Sequence, residues 1–310
     1  GGFGLGFDEF DESCEARRAT CVRGQAIEAI DRLERPFFLY AHFMDPHAPY
    51  LPPRWHEREF ATKPPQKRWV RKGSPKPIQE HVYRDGPGDY DPEDVDFLRD
   101  LYDDEILHFD REFESFVADL DARGLSENTL IVLTSDHGEA FLEHGEFTHC
   151  RDIAYNSVLR IPLVVALPGR AHSGRRAALA QNLDVVPTIL DYLRIETSDL
   201  ELAGRSLRPS IEHDRPVHRH LFSSQGMMRV VTDGDRKLIH NIQTGESELY
   251  DWRNDVSELD ELSEREPEVA ERLRSALFAW VESVEGTVGA QSSIDDAREI
   301  EKELRAVGYL

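Results

Sequence analysis

The stretch LIVLTSDHGEAFLEHGEFTHC, residues 130–150, carries the deciding pattern. An apolar run of the kind that forms a buried strand stops at Asp136 and His137, and His144 and His149 follow within a dozen residues. Neighbouring residues in a strand point to opposite faces, but where the chain turns at a strand end both side chains can reach one ion. A carboxylate beside a neutral imidazole is half of a common divalent metal site. The local pattern equally fits Asp136 as a helix N-cap with Glu139 three residues on, and His137 as a core histidine bonded to backbone. Two ligands do not hold a metal, so on the metal reading others come from elsewhere.

Working outward, residues 92–123 have helical spacing, begin with Pro92 and acidic residues, and stop before Gly124. A second helix is expected over 22–34 and a third over 183–195, with strands over 36–43, 129–135 and 161–169. Alternating strands and helices predict an α/β fold with a mostly parallel sheet covered by helices. From about residue 212 four short strands follow, HRHLFSS, MMRVVTDG, RKLIHNI and ESELYDW, with turns at DGD and TGE. They read as an antiparallel meander covered by a helix near 265–285. The expected division is an α/β domain over 1–212 and an antiparallel subdomain over 213–310. Residues 52–92, rich in Pro, Lys, Arg and Gly, read as a surface excursion.

Open α/β sheets bind ligands beyond the carboxyl ends of their strands. Two strands of this chain end on chemically loaded residues: 36–43 leads to Asp45 and His47, and 129–135 to Asp136 and His137. The strand-end rule predicts that Asp136, His137, His47 and His149 share one cleft.

The chain has 310 residues, 39% of them hydrophobic, and a net charge of −23. That charge argues against nucleic acid, whose phosphates need a basic face. The cations are 31 Arg against 6 Lys; an acidic surface poor in lysine suits a salt-rich cytoplasm, and a GC-rich genome accounts for the arginine as well. No run approaches the roughly 18 apolar residues of a membrane helix. Cys14, Cys21 and Cys150 are odd in number without repeated spacing, which reads as free thiols.

The chain resembles the C-terminal part of a sulfatase, in the alkaline phosphatase superfamily. PFFLYAHFMDPHAPYLPP resembles the family's strand and substrate-histidine loop, and GLSENTLIVLTSDHGEAFLEHGEF its metal-binding segment. RIPLVVALPG, DVVPTILDYL, AGRSLRPSI, ESELYDWRNDVSELDEL and ELRAVGYL follow in the family's order. The resemblance implies an alkaline phosphatase-like fold and hydrolysis of sulfate esters, small-molecule or glycan. It assigns Asp136 and His137 as two of four metal ligands, and His47 and His149 to the sulfate or leaving oxygen. His144 receives no firm role. Calcium is the expected metal, with manganese, magnesium or zinc as alternatives. Phosphodiester, phosphonate or phosphoryl-transfer chemistry on the same scaffold is the second reading, and a non-catalytic binding module the third.

The family's C/S-x-P-x-R nucleophile motif and its pair of metal-binding aspartates have no counterpart in this sequence. ATCVRG around Cys21 lacks the proline, and GSPKP around Ser74 lacks the arginine. The expectation is that roughly the first third of the enzyme lies upstream, carrying the formylglycine or serine nucleophile and any export signal. Alone, the chain is expected to bind metal weakly and to hydrolyse nothing. Sequencing the coding region upstream of Gly1 tests this: a C/S-x-P-x-R motif and an Asp-Asp or Asp-Asn pair are expected, and an in-frame stop or an unrelated domain overturns it.

Overall fold

The structure, a computed structural model, describes residues 4–14, 18–53, 58–63, 70–78, 91–149 and 152–288. In chain order its elements are α1 (Ala19–Arg32), α2 (Pro92–Ala122), β1 (Ile131–Thr134), β2 (Ala140–Phe141), β3 (Phe147–Thr148), α3 (Asn156–Leu159), β4 (Leu163–Ala166), α4 (Val185–Tyr192), α5 (Arg208–His213), β5 (Leu221–Gln225), β6 (Met228–Thr232), β7 (Lys237–Asn241), β8 (Ser247–Tyr250) and α6 (Pro267–Val288). No helix among the described residues is long and apolar enough to cross a membrane. The chain packs as two compact units, Gly1–Thr129 with His144–Thr148 and Leu130–Glu143 with His149–Leu310.

The second unit holds the predicted meander. Strands β5 to β8 form one sheet in sequence order, each antiparallel to the next. Alternation along the strands sends Val231, Leu238 and Leu249 to one face, where they pack with Leu262, Ala270, Leu273 and Leu277. Phe222 stacks on Trp280 of α6 at 5.0 Å. Val230, Ile239 and Tyr250 face the other way and pack with Ala154, Tyr155 and Leu159. The sheet is therefore covered on both faces, by α6 and by the segment around α3. Strand β1 pairs with β4, Thr134 opposite Leu163. This ladder is antiparallel, where strand–helix alternation leads one to expect parallel neighbours; mixed α/β sheets carry such pairs.

In the first unit α1 and α2 run side by side in the same direction. Arg23 reaches Glu112 and Asp119 at 2.8 Å each, and Arg123 forks onto Asp31 at 2.8 and 2.9 Å. Helix α2 starts where expected, Asp91 accepting the Glu93 N–H. It stops at Gly124, whose φ of 65° lets the Leu125 N–H return to the Leu120 carbonyl. Residues 36–43, expected as a strand, pair with no strand among the described residues. Their alternation survives: Phe38 and Tyr40 are 63% and 65% exposed, while Phe37 and Leu39 are half-buried. Cys14 and Cys21 form a disulfide, correcting the reading of both as free thiols. An odd count argues against a disulfide framework, not against one bridge. Cys150 and residues 54–57, 64–69 and 79–90 of the predicted excursion lie outside the described residues.

The buried face of α2 carries carboxylates as well as Leu98 and Leu101. Asp104 accepts the backbone N–H groups of Glu59, Phe60 and Ala61 at 2.9–3.1 Å, and Glu105 accepts that of Leu51 at 2.7 Å. Asp45 in turn accepts the Ala19 N–H at the start of α1. Burial pushes the Asp45 carboxyl up. It pushes that of Glu105 from 4.5 up to about 8, and Glu105 Oε2 is buried without a hydrogen-bond partner.

Between pH 4.5 and 8 the folded chain therefore holds a proton on Glu105 that the unfolded chain has lost. Stability falls as pH rises through that window. In urea unfolding from pH 5 to 8, Glu105→Gln, which keeps an acceptor for Leu51, is expected to flatten this fall and to exceed the wild type at pH 8. Parallel pH curves for the two proteins would show that Glu105 is not the group responsible.

Candidate active site

Strand β1 delivers the SDHGE segment, and three hydrogen bonds hold its end in place. Asn182 Nδ2 donates to the Ser135 carbonyl at 2.9 Å, and its Oδ1 lies 2.9 Å from Thr134 Oγ1. The Gly138 N–H donates to the Val158 carbonyl at 2.8 Å. A Cβ at Gly138 would lie 2.1 Å from the Ser157 carbonyl oxygen, so only glycine lets the two backbones approach this closely. Ala140 then packs with Ile153 and Val158.

The segment receiving Gly138 is itself clamped. Asn156 donates its backbone N–H to Glu258 at 2.6 Å and its side-chain amide to the Trp252 and Val256 carbonyls. Lys237, on β7, forms a buried ion pair with Glu258 at 2.5 Å and donates to Ala154 O and Asn156 Oδ1 at 3.1 and 3.3 Å. Burial pushes the Lys237 ammonium down and the Glu258 carboxylate holds it up.

At the strand end, Asp136 Oδ1 accepts the His137 N–H, and Oδ2 lies 3.7 Å from His137 Nε2. His137 Nδ1 lies 2.8 Å from the Gly138 carbonyl. A carbonyl only accepts, so Nδ1 carries the proton and Nε2 the lone pair. A carboxylate oxygen and an imidazole lone pair this close suit one divalent cation. No helix follows Asp136, which removes the N-cap alternative. The His149 ring stacks on that of His137, centroids 4.0 Å apart, and its Nδ1 donates to buried Glu139 at 3.0 Å. Among the described residues, no group of three or more His, Cys, Asp or Glu stands ready to hold a metal.

The structure thus brings together Asp136, His137 and His149. His47 lies in the first unit, where its Nδ1 donates to the Ala48 carbonyl at 2.7 Å, again leaving Nε2 with the lone pair. His144 also groups with the first unit. Sequence reading missed two positioning residues. Glu139 was weighed only as a capping partner, and its bond to His149 needs a chain reversal that spacing does not reveal. Asn182 sits 47 positions beyond Ser135, and no local pattern joins them.

The sequence profile of the sulfatase family matches residues 22–195, and that of the N-sulphoglucosamine sulphohydrolase C-terminal region matches 142–282. An arylsulfatase of Clostridium perfringens is 28% identical over 83% of this chain and 57% of its own length. The chain thus spans little more than half of that relative. Among solved structures, one in complex with its substrate D-glucosamine-2-N,6-O-disulfate superposes with a TM-score of 0.62 at 19% identity, over 86% of this chain and 69% of that one. The phosphonate monoester hydrolase of Agrobacterium radiobacter superposes with a TM-score of 0.65 at 20% identity, over 84% and 60%. These likenesses place the chain in the alkaline phosphatase-like α/β fold.

Breaking a buried ion pair by removing one partner costs about 3–5 kcal/mol. Lys237→Ala is expected to lower unfolding stability by about that amount and to speed amide exchange at Gly138 and Asn156. A loss below about 1 kcal/mol, the scale of an exposed pair, would show that the clamp does not hold the segment.

Proposed function

The chain belongs to the sulfatase family, and from that premise we propose that the whole protein is a metal-dependent hydrolase of sulfate esters, small-molecule or glycan. The observation that carries the reading is the orientation shared by three of its 13 histidines. His47, His137 and His149 each place Nδ1 on an oxygen acceptor, and in this reading Nε2 is the working nitrogen. A fixed Nδ1 partner is what sets the tautomer of a ligand or a catalytic imidazole.

In this reading Asp136 Oδ2 and His137 Nε2 are two ligands of a divalent cation, calcium as the expected ion, with manganese, magnesium or zinc as alternatives. Bound there, the cation would supply Lewis acidity and a template for the sulfate oxygens. Protonated His149 gives one proton to Glu139 as a hydrogen bond and directs the other, on Nε2, at a sulfate oxygen as charge builds on it. His47 does the same toward the leaving oxygen or returns its proton. The nucleophile, a formylglycine hydrate or a serine, is assigned to a part of the enzyme outside this chain. The likeness to the phosphonate monoester hydrolase supports phosphonate or phosphodiester cleavage as the second reading.

Sulfate release from an aryl sulfate by the complete enzyme tests the assignment. His149→Ala is expected to lower turnover by roughly two to three orders of magnitude, the usual loss of one oxyanion donor, and His144→Ala by much less. Calorimetric titration with calcium or manganese should show binding that Asp136→Ala with His137→Ala abolishes. Equal losses for His144→Ala and His149→Ala, or cation binding unchanged in the double variant, would overturn these roles.

A further inference from the structure

The first turn of the meander closes on the segment that follows His149. Strands β5 and β6 meet with Gln225 opposite Met228, which leaves Gly226 and Met227 at the tip of the turn. Asp152 Oδ1 accepts the Met227 N–H. At Gly226, with φ of +53°, a Cβ would lie 2.0 Å from that same oxygen, so only glycine lets the turn close on the carboxylate. Gln225 Nε2 donates to the His149 carbonyl at 3.4 Å. The turn thus holds the chain at two points, the backbone of His149 and the side chain of Asp152. It is itself firmly built. Arg229 Nη1 donates to the Gly226 and Met228 carbonyls at 2.9 and 3.0 Å, and the Ile242 N–H donates to the Met227 carbonyl at 3.0 Å. Just beyond Asp152, Ile153 and Ala154 are buried, and Ala154 packs with Val230 and Ile239 of the same sheet. Asp152 has a φ of 67°, a left-handed backbone uncommon outside glycine. Such a conformation persists where its surroundings fix it, and residues of this kind gather at functional sites.

We infer that Gln225 and Asp152 are positioning residues for His149, so that the first turn of the meander aims an imidazole 76 positions earlier in the chain. The placement stands on these contacts; its consequence for turnover rests on the donor role proposed above for His149. The Glu139 carboxylate fixes one nitrogen of the ring, and a single hydrogen bond leaves a ring free to pivot about it. The hold on the His149 carbonyl gives the side chain a fixed origin, and the stack on His137 gives it a fixed plane. An oxyanion donor acts through where its N–H points. A displacement of about 1 Å caused by a change away from the chemistry can cost about a hundredfold in rate. The Gln225 contact lies at the long end of hydrogen-bond range and that of Asp152 is close, so Asp152 carries the larger share.

Two readouts test this. In the full 310-residue chain, histidine-selective 15N labelling gives the His149 imidazole signals, identified by their loss in His149→Ala. Asp152→Ala is expected to move them and Gln225→Ala to move them less. Asp152→Asn, which keeps an oxygen for the Met227 N–H, is expected to restore their positions. Asp235→Asn, exposed in the turn at the opposite end of β6, should leave them in place. If Asp152→Ala does not fold, Gly226→Ala, whose methyl displaces the carboxylate, takes its place. In the complete enzyme, Asp152→Ala is expected to lower kcat for an aryl sulfate about tenfold with little change in KM, the mark of an interaction made in the transition state, and Asp152→Asn to recover most of that loss. Signals unmoved in the alanine variants, or moved as far by Asp235→Asn, would overturn the inference. Moved signals with an unchanged kcat uphold the placement and remove the donor role of His149 instead.

Discussion

The second unit depends on one buried charge pair. Lys237 and Glu258, both all but inaccessible to water, meet at 2.5 Å and share Asn156 as a common partner. An ammonium and a carboxylate taken out of water are costly unless each finds its partner and the remaining polar atoms are bonded. The geometry that satisfies them fixes where β7 stands against the segment from Ala154 to Leu159. That segment receives the backbone of Gly138, and Gly138 is the neighbour of His137. The position of the strand end is thus set from a sheet about a hundred residues further along the chain. In its absence Asp136 and His137 would lose the support that reaches them through Gly138, keeping only that of Asn182.

The candidate site shows the same economy on a smaller scale. Its histidines are oriented by the first oxygen available: Ala48 O, Gly138 O and the Glu139 carboxylate. Two of these acceptors belong to the very next residue, so the tautomer is decided by local backbone geometry and survives changes elsewhere. His149 differs. It borrows a carboxylate from ten positions earlier, so its orientation depends on the fold of the intervening segment.

How much of this was legible in the sequence follows from range. The four strands of the meander and the ends of α2 were readable because alternation, Pro92 and Gly124 act within a few residues of themselves. The convergence of Asp136, His137 and His149 was readable because they sit on or beside one strand end. Residues 36–43 show the limit. Their alternating exposure is the strand signal, but a strand is made by a partner, and the pattern of one segment does not say which segment pairs with it. The antiparallel ladder of β1 and β4 was missed for the same reason, since direction is a property of two strands. The Cys14–Cys21 bridge was missed because counting cysteines weighs frameworks rather than single links. Glu139 and Asn182 act on groups 10 and 47 positions away, beyond any periodicity.

The carboxylates of α2 have a consequence for how such a chain can change over generations. Backbone groups of residues 51 and 59–61 are held by the side chains of Asp104 and Glu105, not by a neighbouring strand. A ladder propagates any insertion along its whole length, because a slip of one residue turns every side chain to the wrong face. Two fixed pegs propagate nothing. Residues gained or lost between them leave both attachment points where they were, at an entropic cost that grows only slowly with loop length. The helix thus serves as a rail on which loops of different length and charge can be mounted beside His47, leaving the chemistry undisturbed while the molecules admitted to it diversify.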